Sequence, residues 1–149
     1  MNIGSMTLRL LLAVVLGGII GIERETSHKP AGLRTNILIC VSSAMMMILA
    51  ELFSGKDGGG QEAMRVAAGV ITGVGFLGAG AIIQARGTVH GLTTASVIWA
   101  VAGLGLAVGA GYYLISIVFT VMVVLILVLL RKIDQILLKR FEKNHPSVH

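Results

Sequence analysis

The sequence predicts an all-α membrane protein, a polytopic bundle of about five transmembrane helices with glycine-rich packing. Three observations carry that prediction. Of 149 residues, 55% are hydrophobic and only 13% charged, where a soluble domain carries roughly a quarter charged residues. Several apolar stretches reach the ~20 residues that cross a bilayer. The charges gather at the ends of those stretches, as hydrocarbon requires of unpaired charge.

Taken in order, the spans are residues 6–22, 33–53, 66–85, 93–110 and 112–130, each bounded by charge, Gly or Pro. Together residues 1–130 form the transmembrane domain, and 131–149 form a basic cytoplasmic tail. Four spans with a re-entrant segment is the alternative topology. The first span has no basic leader, contains Arg9 and runs into Glu23-Arg24-Glu25 rather than a small-residue cleavage site, so it is expected to be retained. Lys and Arg set the orientation. Arg24, Lys29, Arg34, Arg86 and the tail cations Arg131, Lys132, Lys139, Arg140 and Lys143 fall on one side. Only Arg9, Lys56 and Arg65 fall on the other, which places the N-terminus outside and the C-terminus in the cytoplasm. The net charge of +5 mostly reflects this asymmetry. No soluble basic domain exists to bind nucleic acid; the basic tail suits anionic lipid headgroups.

Glycines punctuate the first, third and fourth spans. Gly17 and Gly21, Gly69 and Gly73, and Gly105 and Gly109 are each four residues apart, the spacing that clears one helix face for close packing in lipid. Gly73, Gly75, Gly78 and Gly80 face several directions, which predicts either a helix at the centre of the bundle or a locally broken one. Broken backbone at membrane depth must be buried in protein or line a cavity. A faint internal repeat lays Gly21 on Gly80, Gly32 on Gly91, Leu33 on Leu92 and Thr35 on Thr94. If real, it relates two helical hairpins of the same orientation.

The chemistry concentrates between residues 21 and 35. There Glu23, Arg24, Glu25, Lys29 and Arg34 interrupt two apolar spans around a Pro30-Ala31-Gly32 turn. The second and fourth spans both start on this side, each with a Gly-Leu-x-Thr sequence and the free N–H groups of a helix N-terminus. Thr35, Thr93 and Thr94 add hydroxyls, and Lys29 and Arg34 add charge. This pattern favours an anion, such as a phosphate or a lipid headgroup. The competing reading is a structural latch in which the glutamates neutralise the cations, Glu25 pairing with Lys29. Glu23 and Glu25 also offer carboxylates to Mg²⁺, although residues two apart on a helix diverge. In the outer rim, Arg9 either snorkels or pairs with Glu51, Asp57 or Glu62, and Arg65 either pairs with Glu62 or lines a vestibule. Trp99 is expected to pack on glycine-rich neighbours, and Cys40 to act as a buried small hydrophobe. His28 and His90 make no metal site, Met45–Met47 are packing residues, and His145 and His149 are unremarkable tail residues. Enzyme signatures are missing: no nucleophile triad, zinc spacing or phosphate loop is present, so no catalysis is expected.

The run from Gly17 through Gly21-Ile22-Glu23-Arg24-Glu25 to Lys29-Pro30-Ala31-Gly32-Leu33-Arg34-Thr35 resembles the first signature of the MgtC/SapB membrane proteins. Arg65 with Gly73-Val74-Gly75-Phe76-Leu77-Gly78-Ala79-Gly80 resembles the second, and Gly91-Leu92-Thr93-Thr94-Ala95 with Trp99, Ala102, Gly105 and Gly109 the third. The resemblance implies a bacterial inner-membrane protein tied to magnesium-limited growth and ion balance and, in pathogens, to survival inside host cells. It also implies a regulator of other membrane complexes, such as the proton-driven ATP synthase, or alternatively an ion or phosphate transporter, in either case as a homo-oligomer, expected to be a dimer. Many members continue into a cytoplasmic regulatory domain, so this sequence reads as a short form. It further departs from the pattern at Cys40, Glu62 and Ser96.

Overall fold

The computed structural model describes residues 2–53, 59–85 and 88–144, with side chains of the last helix described through Ile133. Lys56, Asp57, Arg86, the side chains of Lys139, Arg140 and Lys143, and both His145 and His149 lie outside the described residues. The chain forms α1 (Ile3–Thr26), α2 (Leu33–Phe53), α3 (Gly59–Gly80), β1 (Ile83–Ala85), β2 (Thr88–His90), α4 (Leu92–Gly109) and α5 (Tyr113–Asn144). All five helices are long and apolar enough to cross a membrane. The protein is therefore an all-α, multi-pass membrane bundle.

Several boundaries differ from the sequence reading. The first helix begins at Ile3, where the Asn2 side chain accepts a hydrogen bond from the Gly4 N–H at 2.9 Å and caps the N-terminus. The third ends at Gly80 instead of residue 85, because the chain turns at Ala81 and enters a small antiparallel hairpin. In that hairpin Ile83 pairs with His90, Gln84 with Val89 and Ala85 with Thr88. Gly91 closes it at φ +91°, and a side chain there would strike the Ala81 carbonyl. Only glycine tolerates both demands. The fifth helix runs past Leu130 to Asn144, since neither Gly nor Pro interrupts residues 131–144. Hydrocarbon thickness limits the apolar run, not the helix.

The centre belongs to α4, which packs against every other helix. Ala13, Leu16 and Ile20 of α1, Cys40 and Ala44 of α2, and Val97, Val101, Leu104 and Val108 of α4 form one apolar core. Glycines bring these backbones together. A methyl group on Gly17 would lie 2.7 Å from Cys40 Cβ, one on Gly21 would lie 2.8 Å from Leu33 Cα, and one on Gly105 would strike the Cys40 carbonyl. This is the close approach predicted from their spacing. Cys40 is a buried free thiol, as expected of a small hydrophobe.

The third helix is neither central nor broken. It is continuous and lies at the rim, with Gly78 against Ala95 but open space beside Gly69, Gly73, Gly75 and Gly80. Buried-cavity or core packing therefore does not account for its glycines within one chain. Trp99 is likewise turned outward, 54% exposed on α4, and does not pack into a glycine-rich interior.

Candidate functional site

Two polar layers interrupt the apolar interior, one toward each end of the bundle. At about 1.5 Å of rise per residue, Arg9 and Arg24 stand roughly 22 Å apart along α1. A hydrocarbon core is ~30 Å thick, so both guanidinium groups need partners or a route to a boundary.

Arg9 finds partners. Its Nη1 donates to Glu51 Oε2 at 2.7 Å and to the Gly109 carbonyl at 2.5 Å. One cation thus ties α1 to α2 and meets the carbonyl end of α4, where positive charge is favoured. Of the two readings for Arg9, pairing prevails, with Glu51 as the carboxylate. Glu62 instead lies 3.4 Å from Arg65, both side chains exposed, a surface pair worth at most about 1 kcal/mol.

The opposite layer is the candidate site, and Arg24 is its centre. Arg24 is only 4% exposed. Its Nη2 donates to Thr94 Oγ1 at 3.0 Å, joining the last turn of α1 to the first turn of α4. The buried Nε has no partner. Among the described residues, no carboxylate lies within ion-pair distance of Arg24. Neighbouring Glu23 turns elsewhere: it accepts from the Ser27 hydroxyl at 2.7 Å and lies 3.9 Å from Arg131 on α5. Arg131 also donates to the Ser27 hydroxyl. The second Glu23 oxygen is buried and unpartnered.

A cavity of about 640 Å³ opens between these groups. Glu23, Arg24, Ser27, Lys29 and Pro30 form one wall, residues 89–94 a second, and Ile126, Leu127, Leu130 and Arg131 a third. Arg24, Lys29 and Arg131 outweigh the single carboxylate of Glu23. The N-terminus of α4 adds positive potential, since no side chain caps it. Such a lining suits an anion and disfavours a bare divalent cation. Glu23 and Glu25 diverge, and among the described residues no group of three acidic, His or Cys side chains is placed to hold a metal.

The sequence-predicted residues divide at this cavity. Glu23, Arg24, Lys29, Thr93 and Thr94 line it; Glu25, Arg34 and Thr35 do not. Glu25 Oε2 accepts the Leu33 N–H at 3.0 Å and so occupies the start of α2. A methyl group on Gly32 would meet that carboxylate oxygen, so a side chain there would require Glu25 to shift. Arg34 and Thr35 are exposed. The two Gly-Leu-x-Thr turns therefore share one end of the bundle, but only the second contributes to a pocket. A latch exists too, with different members from those expected: Glu23 meets Arg131, and Glu25 meets a backbone amide and not Lys29.

Ser27, Arg131 and Asn36 were not anticipated. Asn36 is fully buried and donates from Nδ2 to the Ala31 and Gly32 carbonyls at 2.5 and 2.8 Å. A polar residue one turn inside an apolar span was its only signal. His90 shares a 3.0 Å hydrogen bond with the hydroxyl of Thr88, two residues earlier on β2.

Comparison with known proteins gives a consistent result. The family model described as MgtC family matches residues 10–136. The chain is 44% identical over 125 residues to the putative magnesium transporter YhiD of Escherichia coli K12, covering 80% of this chain and 58% of that one. It is 42% identical over 125 residues to protein MgtC of Brucella abortus, covering 84% and 51%. Protein SapB of Bacillus subtilis is 44% identical over 114 residues, covering 73% and 49%. The chain thus spans about half the length of the curated relatives it matches. No solved structure matches it.

Proposed function

The chain belongs to the MgtC family, and from that premise we propose that it is an inner-membrane regulator of magnesium and ion homeostasis. It acts on other membrane complexes through helix–helix contacts, with its N-terminus outside and its C-terminus in the cytoplasm. The observation that carries this reading is the filled interior between the two polar layers. Ala13, Ile20, Cys40, Ala44, Val101 and Val108 are all fully buried there. An interior so filled beside the Arg24 cavity supports sensing over conduction. The Lys and Arg asymmetry supports the orientation.

A magnesium or phosphate transporter is the second reading, and the open glycine face of α3 favours it. Gly69, Gly73 and Gly75 have open space beside them, so a path between two copies of a dimer is the geometry it requires. The name of the Escherichia coli relative points the same way for that protein.

Proteoliposomes and cross-linked co-purification separate the two. The regulator reading expects no protein-dependent Mg²⁺ or phosphate flux and recovery of a larger membrane complex, such as the ATP synthase. Flux that disappears in Arg24→Ala supports transport and overturns regulation.

A further inference from the structure

We propose that the Arg24 cavity binds a phosphate group, either free phosphate or the headgroup of an anionic phospholipid. Arg24 is the main observation. A guanidinium carries five N–H donors, yet here it is 4% exposed, gives one hydrogen bond to Thr94 and leaves Nε unpartnered. Burying a charge in that condition is costly unless an opposite charge arrives. No described carboxylate lies within ion-pair distance: Glu23, in the same lining, is held by Ser27 and faces Arg131, with its other oxygen buried and unpartnered.

The second observation is independent of Arg24. The 18-residue helix α4 begins in the same cavity, preceded by a left-handed Gly91 and with no side-chain cap. Residues 92–94 all line the cavity together with Arg24, so the uncapped start of α4 and the buried guanidinium border one space. Tetrahedral phosphate oxygens accept from both, and arginine matches phosphate in a bidentate fork. Lys29 and Arg131 add charge at the rim. The volume, about 640 Å³, exceeds that of phosphate alone, and the Ile126, Leu127 and Leu130 wall gives an apolar seat beside the anion. That wall accommodates an acyl chain, whereas the cations need only the phosphate.

The inference names the ligand of the pocket on which the regulator reading relies, and in that sense rests on it. Binding is measured without any partner complex, so either can fail alone. The experiment uses the full chain in nanodiscs of phosphatidylcholine, titrated with inorganic phosphate, and in parallel native mass spectrometry after extraction from phosphatidylglycerol-containing membranes. Arg24→Gln is expected to weaken binding by about tenfold or more, the loss of one charge-assisted contact. Arg131→Gln, at a half-exposed position that does not threaten folding, is expected to weaken it severalfold. Saturable phosphate binding lost in these variants assigns free phosphate. Retained phosphatidylglycerol lost in the same variants, without phosphate binding, assigns the lipid. If wild type binds neither, or both variants bind as wild type does, the proposal is overturned.

Discussion

Arg24 donates to Thr94 across 70 residues of sequence, at 3.0 Å and away from solvent. That bond joins the end of the first helix to the start of the fourth and places a cation at the mouth of a helix dipole. The α4 N-terminus repels that charge modestly, while the last turn of α1, which carries it, favours it. A neutral side chain that fills the same space removes the unpaired charge. We expect Arg24→Met to leave the melting temperature in detergent unchanged or raised while abolishing activity. A fall in melting temperature equal to the loss of activity argues for a purely structural arginine.

The Arg9 layer behaves in the opposite way. Arg9 and Glu51 are 14% and 33% exposed and directly paired. Removing one partner strands the other at membrane depth. Glu51→Ala is expected to cost about 1–3 kcal/mol, less than a fully buried pair because the carboxylate keeps some solvent contact. Reversible unfolding in mixed micelles measures this, and an Arg9/Glu51 double-mutant cycle should show strong coupling.

Glycines of equal spacing differ sharply in consequence. Gly105→Ala would drive a methyl group into the Cys40 carbonyl, with Ser43 Cβ at 2.7 Å, so overpacking of about 1–3 kcal/mol or more is expected. Gly73→Ala meets nothing within 4 Å and should stay within about 0.5 kcal/mol of wild type in a monomeric micelle. Yield and thermal stability of the purified variants decide it. If Gly73→Ala fails only in the native membrane, the open face of α3 is covered by a partner there.

Glu25 caps the start of α2 and does not line the cavity. Glu25→Ala loses the acceptor for the Leu33 N–H and should cost about 1 kcal/mol of stability. Phosphate or lipid binding should be unaffected once the protein is folded. A selective loss of binding would place Glu25 back in the site.

Much of the fold was legible because hydrocarbon leaves few options. The second span, predicted over 33–53, is the helix Leu33–Phe53; the fourth, predicted over 93–110, is Leu92–Gly109. Both begin at a Gly-Leu sequence, where the chain changes conformation. The third span is predicted too far toward the C-terminus because residues 81–85 stay uncharged and mostly apolar after Gly80 while the backbone turns into a hairpin, and such a run does not report conformation. The site was legible by neighbourhood only. Residues 23–35 were identified as chemically dense, but which arginine is buried depends on α4 arriving 70 residues later. Arg34 and Arg24 carry the same charge near the same boundary; only tertiary packing hides one and exposes the other. Ser27 and Arg131 escaped notice for the same reason, since their meeting joins chain segments with no shared local pattern.

The most direct test sets those two arginines against each other. In a strain that lacks its own copy and grows poorly at low magnesium, Arg24→Gln and Arg34→Gln are expressed to equal, membrane-inserted levels. The account predicts that Arg24→Gln fails to restore growth and that Arg34→Gln restores it as well as wild type. Restoration by Arg24→Gln with failure of Arg34→Gln would contradict it.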